Sequence, residues 1–296
     1  MIFHGFLREI GSANFFSAMK RCVLLLLLPV LGLCLLSACN GSQAVGTTET
    51  TAESVTIPSK NSGSRERLIA HAGGAAFGYR LTNSLEALDA AYANGFKVIE
   101  LDFERTTDGK YVLLHDWDSM AKRMLFKAGQ LSLAEFQSAE SFADLTLMDL
   151  EQLFDWLRAH EDCYIVTDAK CGNAQFLPDL YALAGDLVTR FIPQAYSFEE
   201  YADAVALGYE AVILTLYKSG YTEEEVLTFA EANEPYAITI PKERLTSTLV
   251  SPLTDLGICT YAHTVNDLYI YEEWNASDGL YGIYTDYFCP IRWPYK

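Results

Sequence analysis

Short apolar runs recur along the chain from about residue 68, and stretches with the spacing of an amphipathic helix separate them. Runs of four to six residues that are rich in Ile, Val, Leu, Phe and Tyr are typical of buried β-strands. Eight such strands are predicted, at Leu68–His71, Val98–Phe103, Cys163–Asp168, Phe191–Ala195, Ala211–Thr215, Tyr236–Ile240, Ile258–His263 and Gly282–Thr285. Seven helices are predicted between them, at Ser84–Asn94, Leu147–His160, Ala174–Thr189, Phe198–Leu207, Thr222–Ala232, Thr246–Leu256 and Asp267–Trp274.

This alternation predicts an α/β fold. Eight strands with helical crossovers in about 230 residues have the size and order of a (β/α)8 TIM barrel. An open, doubly wound sheet shows the same alternation, but its first strand leads into a glycine-rich phosphate loop, and no such loop follows Leu68–His71. In a barrel, chemical groups collect at the C-terminal ends of the strands.

The second predicted strand continues into a β-hairpin extension. Its alternation places Glu100 and Asp102 on one face, and Asp108-Gly109 favours a two-residue type I′ turn, which needs positive φ at both positions. With only those two residues in the loop, His115 is expected opposite Asp102 on the returning strand. An imidazole beside two carboxylates suits a metal-assisted hydrolase. A solvated edge hairpin, with acids that only keep it soluble, is the simpler interpretation.

The C-terminal ends of the other predicted strands favour the catalytic interpretation. These ends carry a set of ionisable residues, namely His71, Glu100, Asp102, Asp168, Lys170, His263 and Asp286. The chain has only five histidines, and two of them are in this set. A barrel would bring all of these residues to one face.

The motifs around these residues resemble, in order, those of the glycerophosphodiester phosphodiesterase family, within the phosphatidylinositol-phospholipase-C-like barrels. They are His71-Ala-Gly, Thr82-Asn83-Ser84-Leu-Glu-Ala, Ile99-Glu100-Leu-Asp102, Thr107-Asp108-Gly109, Val112-Leu-Leu-His115-Asp116, Thr167-Asp168-Ala-Lys170, Thr264-Val265-Asn266 and Thr285-Asp286. The resemblance implies a metal-dependent barrel that cleaves glycerophosphodiesters into an alcohol and glycerol 3-phosphate. It implies one Ca²⁺ or Mg²⁺ ion on Glu100, Asp102 and Asp168, with His71 and His115 as acid and base.

Two positions depart from the family pattern. Ala72 stands where the family has the arginine of HRG, and Thr82 stands where it has the glutamate of ENT. Loss of a bidentate phosphate contact is a large change. Lys170 or, less simply, Arg80 could supply the missing charge to the substrate. His263 is expected either to contact substrate or to be a hydrogen-bonded structural histidine.

Charge restricts the partners. The net charge of −18 disfavours binding to nucleic acid, and an anionic substrate would need local cations. The expected partner is a small phosphodiester, and no obligate protein partner is evident. The segment from Trp117 to Leu145 carries a basic cluster at Lys122, Arg123 and Lys127. It is expected to be a solvated helical cap, although a lid over an anionic substrate would use the same charges.

The N-terminal residues predict export. A basic start at Lys20-Arg21, an apolar run and Leu36-Ser37-Ala38-Cys39 make residues 1–38 a lipoprotein signal peptide, with residues 1–18 as an upstream extension. Cys39 would carry a lipid and anchor the protein to the outer face of a bacterial membrane. Residues 39–66, rich in Ser, Thr and Gly, form the predicted flexible linker, and residues 67–296 form the barrel domain. An uncleaved anchor is the alternative.

The sequence therefore predicts a lipid-anchored, metal-dependent phosphodiesterase, with a glycerophosphodiester as the expected substrate. Two alternatives are open. The same barrel could act on another phosphodiester, such as a phospholipid or a teichoic-acid-like polymer, or the protein could be a surface binding lipoprotein that has lost turnover. Retention of both histidines and all three acids argues against lost turnover.

Overall fold

A computed structural model of the protein describes residues 66–294. The strands of this part of the chain are β1 (Leu68–Ala70), β2 (Val98–Arg105), β3 (Tyr111–Leu113), β4 (Tyr164–Ala169), β5 (Phe191–Ala195), β6 (Ile213–Thr215), β7 (Ala237–Pro241), β8 (Cys259–His263) and β9 (Gly282–Thr285). The α-helices are α1 (Leu85–Ala93), α2 (Ser119–Leu125), α3 (Leu133–Gln137), α4 (Leu150–Ala159), α5 (Asn173–Ala184), α6 (Phe198–Leu207), α7 (Glu223–Asn233), α8 (Ser247–Asp255) and α9 (Leu268–Asp278).

Eight parallel strands close into a barrel. The strand order is β1-β9-β8-β7-β6-β5-β4-β2, and β1 also pairs with β2, so the sheet returns to its start. A helix connects each parallel strand to the next one along the chain. The connection between β2 and β4 is longer, because it also contains β3 and the segment after it. The predicted (β/α)8 TIM barrel is confirmed.

The joint between the first and last strands is tightly packed. Leu68 pairs with Ile283, and Ala70 pairs with Thr285. At Gly282, a Cβ atom would collide with the carbonyl oxygen of Arg67. Glycine is therefore required there because the two backbones approach too closely for a side chain.

Two clusters of apolar side chains follow the pleat of the barrel strands. One cluster fills the barrel interior and includes Val98, Val166 and Tyr284. Neighbouring positions on the same strands, such as Leu101 and Ile165, point outward and pack against the helices. The polar residues at the top of the barrel therefore share a face with the interior cluster.

The hairpin register differs from the prediction by one residue. The loop holds three residues, Thr107 to Gly109, because the N–H of Thr106 donates to the carbonyl of Lys110, 2.8 Å away. Gly109 is left-handed at φ 78°, as a three-residue hairpin loop requires. The extra residue shifts the pairing, so the N–H of Leu114, not of His115, contacts the carbonyl of Asp102. The expected position of His115 directly opposite Asp102 was wrong.

Several predicted helix bounds also differ. The helix predicted at Ala174–Thr189 ends as an α-helix at Ala184, and a 3-10 helix, Gly185–Arg190, follows from a glycine with φ 57°. The helix predicted from Leu147 begins at Leu150, because Asp149 caps it by accepting from the N–H of Gln152. The last helix runs to Asp278 rather than ending at Trp274.

The segment after the hairpin folds as a cap with its own hydrophobic cluster. Helices α2 and α3 bury Met120, Met124 and Phe136 there, together with Ala76 from the loop after β1. The cap is therefore more than a solvated helical insert. Within the described residues, no helix is both long and apolar enough to cross a bilayer. The predicted signal peptide and the lipidation site at Cys39 lie outside the described residues, as does nearly all of the linker.

Candidate active site

Three buried carboxylates meet at the C-terminal ends of β2 and β4. Asp102 pairs directly with Asp168 across the two parallel strands, and Glu100 lies two residues earlier on β2. One carboxylate oxygen from each residue lies within 4.8 Å of the other two. Period-two alternation turns all three side chains to the barrel interior, so the strand pattern creates the acidic triad.

Lys170 supplies the nearest positive charge to the triad. Its Nζ is 2.7 Å from Asp168 Oδ2 and 3.1 Å from Asp102 Oδ1. Burial opposes the charged ammonium, but the two carboxylates raise the pKa of Lys170 above its ordinary value. Burial, and then the charge of Asp102, raises the pKa of Glu100 to about 8. The site therefore holds more negative charge than one lysine can balance.

Backbone and amide donors fix the orientation of these acids. The N–H of Ala72 donates to Glu100 Oε2 at 2.7 Å, and Ala72 is left-handed at φ 48° and ψ 43°. The Asn83 side chain makes two hydrogen bonds with Asp102. Its amide nitrogen donates to Asp102 Oδ2 at 2.8 Å, and its amide oxygen accepts from the Asp102 N–H at 3.0 Å. The loop after β1 thus orients the carboxylates of Glu100 and Asp102, through a backbone N–H group and a side-chain amide.

The donor set fits a hard divalent cation. Carboxylate oxygens are the ligands that Ca²⁺ and Mg²⁺ take in proteins. Glu100 is almost fully buried, and its Oε1 has no hydrogen-bond partner within the described residues. A buried carboxylate oxygen without a partner is costly unless a cation satisfies it. Glu100, Asp102 and Asp168 could therefore hold a metal ion.

His71 and Asp286 form a buried pair beside the triad. His71 Nδ1 lies 2.8 Å from Asp286 Oδ1, and since a carboxylate only accepts, Nδ1 carries the proton and Nε2 is directed away from the pair. Burial lowers the pKa of His71, but the bond to Asp286 and the charges of Glu100 and Asp102 raise it to about 9.

Further contacts hold Asp286 in place. The amide nitrogen of Asn266 donates to its Oδ2 at 2.6 Å, and the Asp286 N–H donates to the amide oxygen of Asn266 at 2.9 Å. Arg80 lies 3.4 Å from the same Oδ2 and is about half exposed. The hydrogen bond to His71 keeps the pKa of Asp286 below its ordinary value although burial opposes this.

His263, the last residue of β8, lies against His71. The two ring centroids are 4.9 Å apart with perpendicular planes, and the ring of Tyr284 is 5.0 Å from His263 on another side. Burial, and then the positive charge of His71, lowers the pKa of His263 to about 3. His263 is therefore neutral beside a charged histidine, in a position to limit how the His71 ring can move.

His115 follows β3 and is oriented by its neighbour in the chain. Its Nδ1 is 2.9 Å from Asp116 Oδ2, so here too a carboxylate directs Nε2 away. Asp116 Oδ1 also accepts from the backbone N–H groups of Ser119 and Met120 at the start of α2. Burial opposes ionisation, but these bonds lower the pKa of Asp116 to about 2.

A cavity of about 430 Å³ opens beside His71 and Asp286. Arg80, Lys242 and Asn266 contribute to its walls. Lys242 follows β7 directly and was not singled out from the sequence. A hydroxylated or anionic group in this cavity would find donors on the side chains of Arg80, Lys242 and Asn266.

The structure gathers most of the residues chosen from the sequence around one centre. The acidic triad, Lys170, His71 and His263 meet at the barrel mouth, and Arg80 lines the adjoining cavity. The assignment of His71 and His115 as acid and base stays a prediction, as do the metal-ligand and substrate-binding roles.

Sequence reasoning assigned no role to four residues that orient the others, namely Asn83, Asp116, Asn266 and Asp286. All four belong to the quoted motifs. Asp286, which directly follows the last strand, was also selected by its strand-end position, although no role was assigned to it. Tyr196, which follows β5, donates a hydrogen bond to Asp168 Oδ1, and burial followed by the Asp168 charge raises its pKa.

Known structures share this fold. The glycerophosphodiester phosphodiesterase from Thermotoga maritima is 21% identical, with a TM-score of 0.59, over 75% of this chain and 95% of that one. The enzyme from Agrobacterium tumefaciens is 18% identical, with a TM-score of 0.57, over 75% and 96%. A phosphodiesterase from Oleispira antarctica, in complex with the product sn-glycerol-3-phosphate, is 18% identical, with a TM-score of 0.59, over 77% and 95%.

The sequence itself gives the family. Residues 73–288, well over half of the chain, match the sequence model of the glycerophosphoryl diester phosphodiesterase family. The matched range includes the acidic triad, Lys170, His115 and Asp286, and it begins two residues after His71. The chain therefore belongs to the glycerophosphoryl diester phosphodiesterase family of phosphodiester hydrolases.

Proposed function

We propose that the protein is a metal-dependent phosphodiesterase that cleaves a glycerophosphodiester into an alcohol and glycerol 3-phosphate. The single observation that carries this proposal is the meeting of Glu100, Asp102 and Asp168 within 4.8 Å of one another beside the His71–Asp286 pair. Phosphodiester cleavage needs positive charge on the phosphate oxygens, a base for the nucleophile and an acid for the leaving oxygen.

Each residue has a role in this mechanism. Glu100, Asp102 and Asp168 hold the divalent cation, which when bound supplies positive charge to the non-bridging oxygens of the phosphate. His71 and His115 move the protons, one to the leaving alkoxide and one from the nucleophile, each through the Nε2 that its carboxylate leaves available. Asp286 and Asp116 are positioning residues, because they act through the imidazole rings.

Lys170 contributes charge at the same place. Its ammonium already lies between two of the acids, and a phosphate that reaches the triad would come within its range. As a flexible point charge, it can follow the phosphate without a fixed geometry. We propose that Lys170 binds a phosphate oxygen, and that Arg80 and His263 contact the remainder of the substrate.

The glycerol moiety is the proposed occupant of the cavity beside His71. Polar walls formed by Arg80, Lys242 and Asn266 can bond to hydroxyl groups. The related phosphodiesterase from O. antarctica was solved with sn-glycerol-3-phosphate, which is the product expected of this reaction.

A second candidate function changes the substrate and keeps the mechanism. Ala72 is fully buried and reaches Glu100 only through its backbone, so its side chain offers the substrate no guanidinium group. Without a bidentate contact to phosphate, recognition would depend more on the groups beyond it, and a bulkier or polymeric phosphodiester becomes a candidate substrate.

The test is hydrolysis of glycerophosphocholine by the purified protein. We expect glycerol 3-phosphate to appear when Ca²⁺ or Mg²⁺ is present, and a chelator or Asp168→Asn to abolish it. Leu183→Ser, an exposed change at the far end of α5, is the matched control and should leave the rate unaltered. Cleavage of only an aryl phosphodiester or a glycerol phosphate polymer would support the second function. Metal binding with no cleavage of any of these would contradict both functions.

We also propose that Cys39 carries a lipid that holds the barrel at the outer face of a bacterial membrane. The support is the order of features in the sequence, which are a basic start, an apolar run and Leu36-Ser37-Ala38-Cys39. Expression of the full chain in bacteria with labelled palmitate should give a labelled, membrane-associated protein, and Cys39→Ser should abolish the label. Absence of label from the unmodified chain, or equal labelling of the two proteins, would contradict lipidation of Cys39.

A further inference from the structure

The cap carries exposed aromatic and basic side chains that the proposed mechanism does not use. Phe77 is 75% exposed and Phe126 is 65% exposed, which is unusual for large apolar residues at turn tips. Lys122, Arg123 and Lys127 are also exposed. Together with Tyr79, which is 40% exposed, these residues define a surface that we name the cap patch.

Both phenylalanines occupy strained backbone positions. Phe77 and Gly78 are the central residues of a tight turn, in which Ala76 and Tyr79 exchange two backbone hydrogen bonds of 3.0 and 2.8 Å. Phe77 has φ 51°, and Phe126 has φ 53° directly after α2. Such positions favour glycine or asparagine, and a bulky residue there is an outlier. Strain that places an apolar ring in water points to a role at that ring.

Residues beside both turns pack in one hydrophobic cluster near the active site. Ala76 and Leu81, which flank the first turn, pack in the same hydrophobic cluster as Met124 and Leu125 of α2. Arg80 and Leu81 also line the cavity beside His71. The cap patch therefore adjoins the entrance to the site.

Charge distinguishes the cap patch from most of the molecule. The chain carries a net charge of −18, yet Lys122 and Arg123 fall together in the last turn of α2, and Lys127 comes two residues after it. Among the described residues, none of these three cations lies within 4.0 Å of a carboxylate oxygen. The nearby acid Glu135 has its pKa lowered first by hydrogen bonds from Ser132 and only to a smaller extent by the charge of Lys127. Asp118 lies at the opposite end of the helix.

We propose that the cap patch docks on the surface of an anionic phospholipid bilayer. Aromatic rings at turn tips suit shallow insertion between headgroups, and adjacent cations are attracted by anionic lipids. A protein partner would be better served by a continuous apolar face with pockets than by separate protruding rings. Docking would turn the mouth of the barrel toward the membrane.

The expected effects are moderate. Each basic residue near an anionic surface contributes roughly a fivefold gain in partitioning. Insertion of one phenylalanine ring contributes roughly tenfold. The ionic part weakens as salt shortens the range of the charges.

The experiment is sedimentation with vesicles. The closed barrel and its hydrophobic clusters lie within residues 66–294, so a chain from residue 40 to the C-terminus retains them without the apolar run or Cys39. We expect it to bind vesicles that contain phosphatidylglycerol and to bind pure phosphatidylcholine vesicles at least tenfold more weakly. Phe126→Ser should reduce binding by about tenfold, and Arg123→Glu, which changes the charge by two units, should reduce it by about 25-fold.

Matched controls lie at the opposite end of the barrel. Leu183 is 52% exposed near the end of α5, and Arg158 is exposed in the last turn of α4. Leu183→Ser and Arg158→Glu should bind like the unmodified chain. The proposal would be overturned if the control variants lost vesicle binding as much as the cap variants, or if both cap variants bound as well as the unmodified chain. It would also be overturned if the unmodified chain bound no vesicles, or if the cap patch bound a protein instead. Far-ultraviolet circular dichroism checks that every variant is folded.

Discussion

His71 and His115 have the same local chemistry in two different surroundings. Each ring places Nδ1 against a carboxylate, at 2.8 Å in one case and 2.9 Å in the other. The side chain of His71 is 14% exposed and that of its partner 2%, whereas for His115 and its partner the values are 34% and 29%. The barrel therefore buries one pair, while the cap and hairpin hold the other near solvent.

The difference shows which element controls each ring. The partner of His71 comes from the other end of the chain, so the closed barrel has to form before the pair exists. The partner of His115 is its neighbour in sequence, and the same carboxylate also binds the first turn of α2. In the proposed mechanism, catalysis therefore depends on the barrel joint for the proton that His71 moves and on the cap for the proton that His115 moves.

Removal of either ring should have the largest effect. We expect His71→Ala and His115→Ala each to reduce kcat by about 10²- to 10⁴-fold, because one proton transfer then has to proceed through water. The measurement is release of glycerol 3-phosphate under saturating substrate. A fall in kcat for only one variant would mean that the other ring takes no part in the chemistry.

Replacement of the two partner carboxylates should have different effects on kcat, because one histidine–carboxylate pair is buried and the other is near solvent. Asp286→Asn should reduce kcat by on the order of 10²-fold, since a buried imidazolium loses the charge that stabilises it. Asp116→Asn should cost roughly tenfold in kcat, because solvent can partly replace its charge. It should also lower the free energy of unfolding by about 1 kcal/mol through weaker bonds to the start of α2. The reverse order of the two effects on kcat would contradict the comparison.

The titration of His71 gives a third test. In the chelated protein, NMR should give its imidazole a pKa of about 9, against an ordinary value of 6.5. A raised histidine pKa favours folding in full below about 6.5, and that contribution is lost as the pH rises through about 9. Asp286→Asn should move the midpoint back toward 6.5 and flatten this part of the stability profile. An unchanged midpoint in the variant would show that Asp286 is not the cause.

The smallest effect is expected at Arg80. The guanidinium is about half exposed and 3.4 Å from Asp286, so solvent weakens its influence on the pair. Arg80→Met should raise KM a few-fold, if the side chain contacts substrate, and leave kcat nearly unchanged. A kcat loss as large as that of Asp286→Asn would instead place Arg80 among the groups that orient His71.

Much of the barrel was predictable because parallel strands have short, apolar sequences that stop at polar residues. Period-two alternation on β2 correctly placed Glu100 and Asp102 on one face, and Asp168 met them because its strand pairs with β2 in register. The shared face of Glu100 and Asp102 depends only on the geometry of one strand, and the pairing with Asp168 depends on barrel closure. The order of strands and helices in the sequence already predicts that closure.

The hairpin and the orienting residues were harder to infer. A two-residue and a three-residue loop share the Asp108-Gly109 pair, and only the Thr106–Lys110 hydrogen bond separates them. The contact of Asn83 with Asp102 depends on the left-handed backbone of Asn83 itself, at φ 48°. Asparagine permits this conformation but does not require it, so the sequence does not predict it. The cap core was missed because its apolar residues come from two separate segments of the chain.

The tight joint at Gly282 has a consequence for biosynthesis. Strand β9 completes the ring, and Asp286 follows it at once, 215 residues after His71. A chain truncated before Gly282 would leave β1 without one neighbour and His71 without its carboxylate. A nascent polypeptide on the ribosome would therefore lack the His71–Asp286 pair until translation had passed Asp286 and β9 had emerged to close the barrel.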